Sequence, residues 1–366
     1  MIHISARSRT ATLAAAVAAL AVSAVSGPAG ASPAHAHASG RPTATGLTAH
    51  TILSGKSRGL SSPDDVTRSG KDLFVTFQNG VPATGGAKGT PAYSTIVKLT
   101  LQGRVEHTWR LVGKCDGLTA DPAHHRVIAT VNEDGNSSLY TLPAAGTAAP
   151  THYSYDAAPL PHGGGTDSIT IYRGGIYLAA SAPASGGPAL YRVVLNEGVA
   201  HLAAAPFYDS STATLANTTT RHRTVHLALT DPDSSTVVPP QSPRFAGNFM
   251  LDAQGDQQAV FAANLGRDDQ RLRVLVLSQS VDDTAFATSR RGELVATDSK
   301  ADSVVIITGT FKRGAAYTAV TPGNANTAGK NPPPNYLGTI NLNTGTVKAV
   351  HTTGVRLTPH SLIYIP

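Results

Sequence analysis

The chain has 366 residues, 41% apolar and 14% charged, with a formal net charge of +6 and one cysteine. A single thiol, Cys115, excludes an intrachain disulfide. Cations are scattered in runs no longer than two, as at Arg290-Arg291, which argues against a nucleic-acid partner, since that would call for a clustered basic face.

The first predicted element is an export signal. Arg7 and Arg9 form a short positive region, the apolar run of residues 11–22 follows, and Ala29-Gly30-Ala31 supplies a small-x-small cleavage pattern. Residues 1–31 are therefore read as a signal peptide with Ser32 as the mature N terminus, and Ala36-His37-Ala38 offers a second cut. The apolar run is shorter than the ~20 residues of a membrane span and is mostly Ala. No later stretch is long and apolar enough to cross a bilayer, so the expectation is a secreted, extracellular monomer with no integral membrane segment. Without Arg7 and Arg9 the mature chain carries 27 basic and 23 acidic residues, a net of +4. Such a charge is compatible with contact with an anionic cell wall, although plain solubility explains it better.

Residues 32–47, rich in Ala, His, Pro, Ser, Gly and Thr, read as a flexible leader. From residue 48 to 366 one phrase recurs: a small or acidic residue, an apolar strand, a turn, and a second apolar strand. Asp64-Asp65-Val66 precedes Asp72-Leu73-Phe74-Val75-Thr76-Phe77. Asp116-Gly117-Leu118 precedes Arg126-Val127-Ile128-Ala129-Thr130-Val131. Asp167-Ser168-Ile169 precedes Gly175-Ile176-Tyr177-Leu178-Ala179-Ala180. Asp64, Asp116 and Asp167 lie 52 and 51 residues apart, the interval that four short strands and their turns occupy. Looser copies follow: residues 212–215 with 224–229, 248–251 with 259–263, and 283–287 with 293–297.

Leu47–Leu53 reads as an outer strand arriving before the first inner one, and His360–Ile365 as an inner strand with no outer partner of its own. An open array with this period would leave unpaired edges, which radial closure removes. The expected fold is all-β: a single β-propeller over residues 48–366, latched by its N- and C-terminal strands. Six copies predict six blades, and the terminal restart leaves seven open.

The phrase Pro-x-x-apolar, turn, apolar-Val-Thr resembles the six-bladed superfamily of NHL-repeat, gluconolactonase-like and strictosidine-synthase-like proteins. The closing Thr358-Pro359-His360-Ser361-Leu362-Ile363-Tyr364-Ile365-Pro366 is similar to the last strand of secreted actinobacterial members. The resemblance implies a ligand site at the channel mouth. The family's hydrolases use a Glu on the first inner strand with an Asn and an Asp; here the glutamates are Glu106, Glu133, Glu197 and Glu293, none of them on that strand.

If the copies align, Asp64, Asp116, Asp167, Asn248, Asp283 and His360 converge on one axis as a ligand-binding ring. Asp64, Asp116 and Asp167 are candidate ligands for Ca²⁺ or another divalent cation. The alternative is structural, with each Asp accepting turn amides. The leading functional expectation is a secreted propeller that binds a small-molecule or protein ligand at the channel mouth and has no identified catalytic residue. A metal-dependent lactonase- or esterase-like hydrolase and a wall-associated scaffold are the alternatives. His162-Gly163-Gly164-Gly165 reads as turn glycines rather than a phosphate loop, Cys115 as a buried inert thiol, and 321–335 as a long loop, either a contact surface or a disordered insertion.

Overall fold

The computed structural model describes residues 46–183, 186–219 and 223–366; the proposed signal peptide and all but the end of the leader lie outside them. The described chain is built of strands with three short 3₁₀ turns. The first strand begins at Leu47, the last residue assigned to the leader.

Six four-stranded blades succeed one another around a channel. From the channel outward, blade one contains Pro63–Ser69, Asp72–Phe77, Tyr93–Thr100 and Val105–Val112. Blade two contains Cys115–Asp121, Arg126–Val131, Ser138–Pro143 and Thr151–Tyr155. Blade three contains Thr166–Tyr172, Gly175–Ala180, Pro188–Asn196 and Val199–Tyr208. The outer edges of blades two and three pair in parallel. Blade four runs Pro232–Val237, Phe249–Ala253, Gln258–Ala263 and Arg271–Val276, and a peripheral hairpin, Thr212–Leu215 with Thr224–His226, is added to its outer edge. Blade five contains Val281–Phe286, Ala316–Val320, Tyr336–Ile340 and Val347–Ala349.

Blade six is assembled from three distant parts of the chain. Its inner strand is C-terminal (Leu362–Ile365), its middle pair is Glu293–Asp298 and Ser303–Thr308, and its fourth strand is N-terminal (Leu47–Ser54), with the short Thr352–Gly354 added in parallel at the outer edge. The expected latch between the chain ends is therefore present, through an intervening hairpin. That hairpin leaves blade five after its first strand, completes blade six, and returns to form blade five's second strand.

Three expected copies are redistributed by this topology. Residues 212–215 and 224–229 form no inner pair, because they lie at the rim of blade four. Residues 248–251 and 259–263 are that same blade's second and third strands. Residues 283–287 and 293–297, read as one copy, belong to blades five and six, because Val281–Phe286 pairs with Ala316–Val320 instead.

Closure is a packing result. Each of six apolar clusters fills the wedge between two consecutive blades. Phe74, Ile96 and Trp109 of blade one meet Leu118, Val127 and Leu142 of blade two. Leu73, Val75 and Phe77 meet Val295, Val304 and Ile306 of blade six, completing the circle. The second strands are walled on both faces, so all six residues of Asp72–Phe77 and all five of Phe249–Ala253 are buried. They consequently read as continuous apolar runs rather than alternating ones. Outer strands such as Val105–Val112 show the alternation of a half-wet sheet.

Candidate functional site

The inner strands all begin on one face of the ring, here the upper face, and their opening phrases superimpose. Pro63-Asp64-Asp65, Cys115-Asp116-Gly117, Thr166-Asp167-Ser168, Pro232-Asp233-Ser234, Val281-Asp282-Asp283 and Pro359-His360-Ser361 occupy equivalent places in blades one to six. In the first five the register against the second strand slips across this phrase. A bulge of this kind inserts an unpaired residue and re-aims its side chain. The middle residue of each phrase is the one re-aimed, so five aspartates and one histidine form a ring at the upper mouth.

A threonine on the second strand clamps several of these bulges. Thr130 Oγ1 accepts from the Gly117 amide at 2.8 Å and donates to the Asp167 carbonyl of the next blade at 2.7 Å. Thr297 Oγ1 likewise accepts from the Ser361 amide at 2.9 Å and donates to the Asp64 carbonyl. The Thr that ends the apolar-Val-Thr phrase is thus a stitch between blades.

The ring members have different surroundings. His360 Nδ1 lies 3.3 Å from Asp64 Oδ1 and 3.4 Å from Asp282 Oδ1, bridging blades one and five. Asp116 Oδ1 accepts from Lys114 Nζ at 3.0 Å and from Gln78 Nε2 at 3.0 Å. Lys114 also pairs with Glu133. Burial disfavours the Lys114 ammonium, yet Asp116, Asp64 and Glu133 around it hold its pKa above the usual lysine value. Asp233 accepts from Gln254 Nε2. Three carboxylate oxygens, Asp116 Oδ2, Asp167 Oδ2 and Asp282 Oδ2, are buried with no hydrogen-bond partner, as is Gln254 Oε1. The residues carrying those carboxylates are only 3–4% exposed.

Burial raises the pKa of every ring carboxyl, and neighbouring carboxylates add to it. Asp167 is pushed well up by burial and then by Asp233 and Asp116, Asp233 by burial and Asp282, and Asp282 by burial and Asp64. Asp64 is raised by burial against the pull of His360, and Asp116 is pushed well up by burial and Glu133. Asp231, beside the ring, is pushed up to about 6 by burial and by Glu133 and Asp134. Below the ring a cavity of about 370 Å³ runs down the channel, lined by Asp116, Asp167, Asp233 and Asp282 and by residues of all six inner strands.

Of the six residues expected to converge, Asp64, Asp116, Asp167 and His360 do so. Asn248 does not: it precedes the second strand of blade four at the opposite end of the inner pair, where its carbonyl accepts from the Val238 amide. Five residues of strand separate it from the level of Asp233, about 16 Å. Asp283 sits one residue past the ring position. Its Oδ2 accepts from the Leu362 amide and from Ser361 Oγ, both at 2.7 Å, and its Oδ1 from the Thr284 amide. Asp65 is its counterpart in blade one, accepting from the Leu118 amide at 2.6 Å, with its Oδ1 2.8 Å from Ser361 Oγ, whose single proton the two carboxylates share. Both tie neighbouring inner strands together, the structural role weighed in the sequence.

Asp233 and Asp282 are the ring members that sequence reasoning missed, and Lys114 and Glu133 the mouth residues. Pro232-Asp233-Ser234 repeats Pro63-Asp64-Asp65, but it lies 66 residues after Asp167 because the peripheral hairpin intervenes. Among the described residues no three His, Cys, Asp or Glu side chains are grouped so that they could hold one metal ion. Asp64, Asp116 and Asp167 stand on successive blades, Asp64 beside His360 and Asp116 beside Lys114 and Gln78.

The remaining sequence candidates are structural. Cys115 is fully buried, and burial followed by Asp116 raises its thiol pKa well above the usual value. His162 accepts from Tyr191 Oη at Nδ1 (2.6 Å) and donates from Nε2 to the Gly165 carbonyl (2.7 Å). A Cβ on Gly165 would meet the Glu133 carbonyl oxygen at 2.0 Å, so this glycine admits backbone rather than a ligand. The 321–335 loop is tethered on the upper face, where the Asn326 amide donates to the Gly255 carbonyl and its side chain to Thr230 Oγ1 and Asp256.

Fold and site together define a six-bladed β-propeller whose channel is ringed by acids at one mouth. No protein-family model matches the sequence, and no curated protein does. Among solved structures the chain is similar to a periplasmic gluconolactonase from Pseudomonas aeruginosa, with 13% identity and a TM-score of 0.46 over 83% of this chain and 88% of that one. It is also similar to a streptogramin B lyase, with 13% identity and a TM-score of 0.43 over 87% and 91%. A catalytically inactive virginiamycin B lyase from Staphylococcus aureus, solved with quinupristin, gives 12% identity and a TM-score of 0.43 over 86% and 78%. At this overlap these neighbours carry no activity over to this chain. Among the described residues no helix is long and apolar enough to cross a membrane.

Proposed function

We propose that the chain is an exported binding protein that captures a small organic cation, an amine or a guanidinium, at the upper mouth of its channel. One observation carries this reading: three buried carboxylate oxygens from three blades face a common channel with no protein partner. A buried carboxylate oxygen without a donor is costly, so such groups take up protons or acquire a further donor. Burial and mutual repulsion raise their pKa values, which favours proton uptake, and a bound cation would provide the alternative. Carboxylates too widely spread for one bare metal ion suit a polyatomic cation, whose several N–H donors reach oxygens at hydrogen-bonding distance. Fold likeness assigns no reaction, and the site geometry is what supports binding.

Calorimetric titration of the mature protein at neutral pH with short diamines, guanidino compounds and Ca²⁺ tests the reading. An amine or guanidinium should bind, and Asp116→Asn and Asp167→Asn should each weaken it about tenfold, or ~1.4 kcal/mol. Absence of binding by every organic cation, or full binding by the double variant, would remove the proposal. Tight Ca²⁺ binding alone would replace it with a metal site.

A further inference from the structure

The lower face, opposite the acid ring, carries a local cluster of cations around blades four to six. The fold brings Arg244, Arg290, Lys312, Arg313 and Lys348 together from blade four's inner turn, the two connections flanking the exchanged hairpin, and blade five's outer edge. They line two adjoining grooves that share Lys312 and Arg313, the larger about 380 Å³. Neither groove is lined by any Asp or Glu. Arg290, Lys312, Arg313 and Lys348 are exposed and form no ion pair with a described carboxylate. Arg244 is anchored, donating to the carbonyls of Leu342 and Ala216 and lying over the Phe245 ring.

We infer that this track binds a phosphodiester polymer of small polyols or sugars. A string of cations across two grooves matches repeated charge better than it matches one anion, and Asn341, Asn343 and Thr346 along the larger groove offer hydrogen bonds to hydroxyls. Nucleic acid fits less well. Single-strand binders stack bases on accessible aromatic rings, and the groove aromatics Tyr317 and Phe311 are 6% and 1% exposed. The site is independent of the acid ring, so either can fail alone.

The test uses the mature chain and a glycerol-phosphate polymer as probe, with affinity measured between about 50 and 200 mM salt. Binding should weaken about tenfold or more over that range, as expected of screened exposed charges. The triple variant Lys312→Gln, Arg313→Gln, Lys348→Gln should weaken binding by a further ~tenfold at the lower salt. A control triple on other surfaces, Lys56→Gln, Arg58→Gln, Lys88→Gln, removes the same charge and should stay within about twofold. Unchanged melting temperatures verify folding, and the single exposed substitution Lys348→Glu repeats the test should the triple variant be unstable. Equal losses in both triples would reduce the effect to net charge and overturn the site. Equal affinity for a single-stranded oligonucleotide would overturn the assignment to a polyol-phosphate polymer.

Discussion

Asp167→Asn should stabilise the ligand-free protein. The side chain lies in a residue 4% exposed, its Oδ2 has no partner, and Asp233, Asp116, Glu133 and Asp231 all repel its negative form. Asparagine keeps the shape and leaves untouched the backbone carbonyl that Thr130 holds. Removing an uncompensated buried charge is worth about 1–3 kcal/mol. Burial and the neighbouring carboxylates push the Asp167 carboxyl well up, which moderates the charge that is removed, so the gain at neutral pH should fall near ~1–2 kcal/mol. In a chain of this size that corresponds to roughly 1.5–3 °C in Tm. The sign with pH follows from linkage. A carboxyl whose folded pKa lies above its unfolded value near 3.8 contributes stability that is complete below that value and lost as pH rises through the folded pKa. The advantage of the variant should therefore be widest at pH 7–8 and close towards pH 4. Calorimetric melting of both proteins across that range measures it. A lower Tm for the variant at pH 7, or a difference indifferent to pH, would show that Asp167 has a partner this reasoning lacks.

Asp65→Ala should act in the opposite sense, one residue from the ring. It strips the acceptor from the Leu118 and Val66 amides and from Ser361 Oγ, and should cost about 3–5 kcal/mol in urea unfolding. A loss below about 1 kcal/mol would deny its role between blades. Thr130→Val, which removes the clamp on Gly117 and Asp167, should cost about 2–3 kcal/mol in the same assay.

The ease of reading the fold followed the regularity of the chain. Blades one to three were visible because nothing interrupts the 52- and 51-residue spacing of Asp64, Asp116 and Asp167. Blade four was obscured by the peripheral hairpin before it and by the long turn between Val237 and Phe249, which stretch the interval and place strand-like runs where no inner strand lies. Blades five and six were confused because the segment after Phe286 has the composition of a second strand and becomes one, but in the neighbouring blade. Local pattern reports that a strand forms; the choice of pairing partner is made over long sequence separations, where composition carries little information.

The same distinction explains why the ring was only partly legible. Residue type announced acids at the inner-strand starts, but the bulge decides which of two adjacent acids faces the channel. At Asp64-Asp65 the ring residue was selected; at Asp282-Asp283 the backbone acceptor was. A shift of one position exchanges a residue that holds the blades together for one that the fold leaves unpaired at some cost. That contrast is the strongest reason to place function at the ring. Asp65 and Asp283 are engaged by amides and hydroxyls of their neighbours, whereas Asp116, Asp167 and Asp282 each retain an oxygen without a partner. The fold does not use those oxygens for its own hydrogen bonds, and a cation entering the channel would add donors beyond the Lys114 and His360 contacts that Asp116 and Asp282 already have.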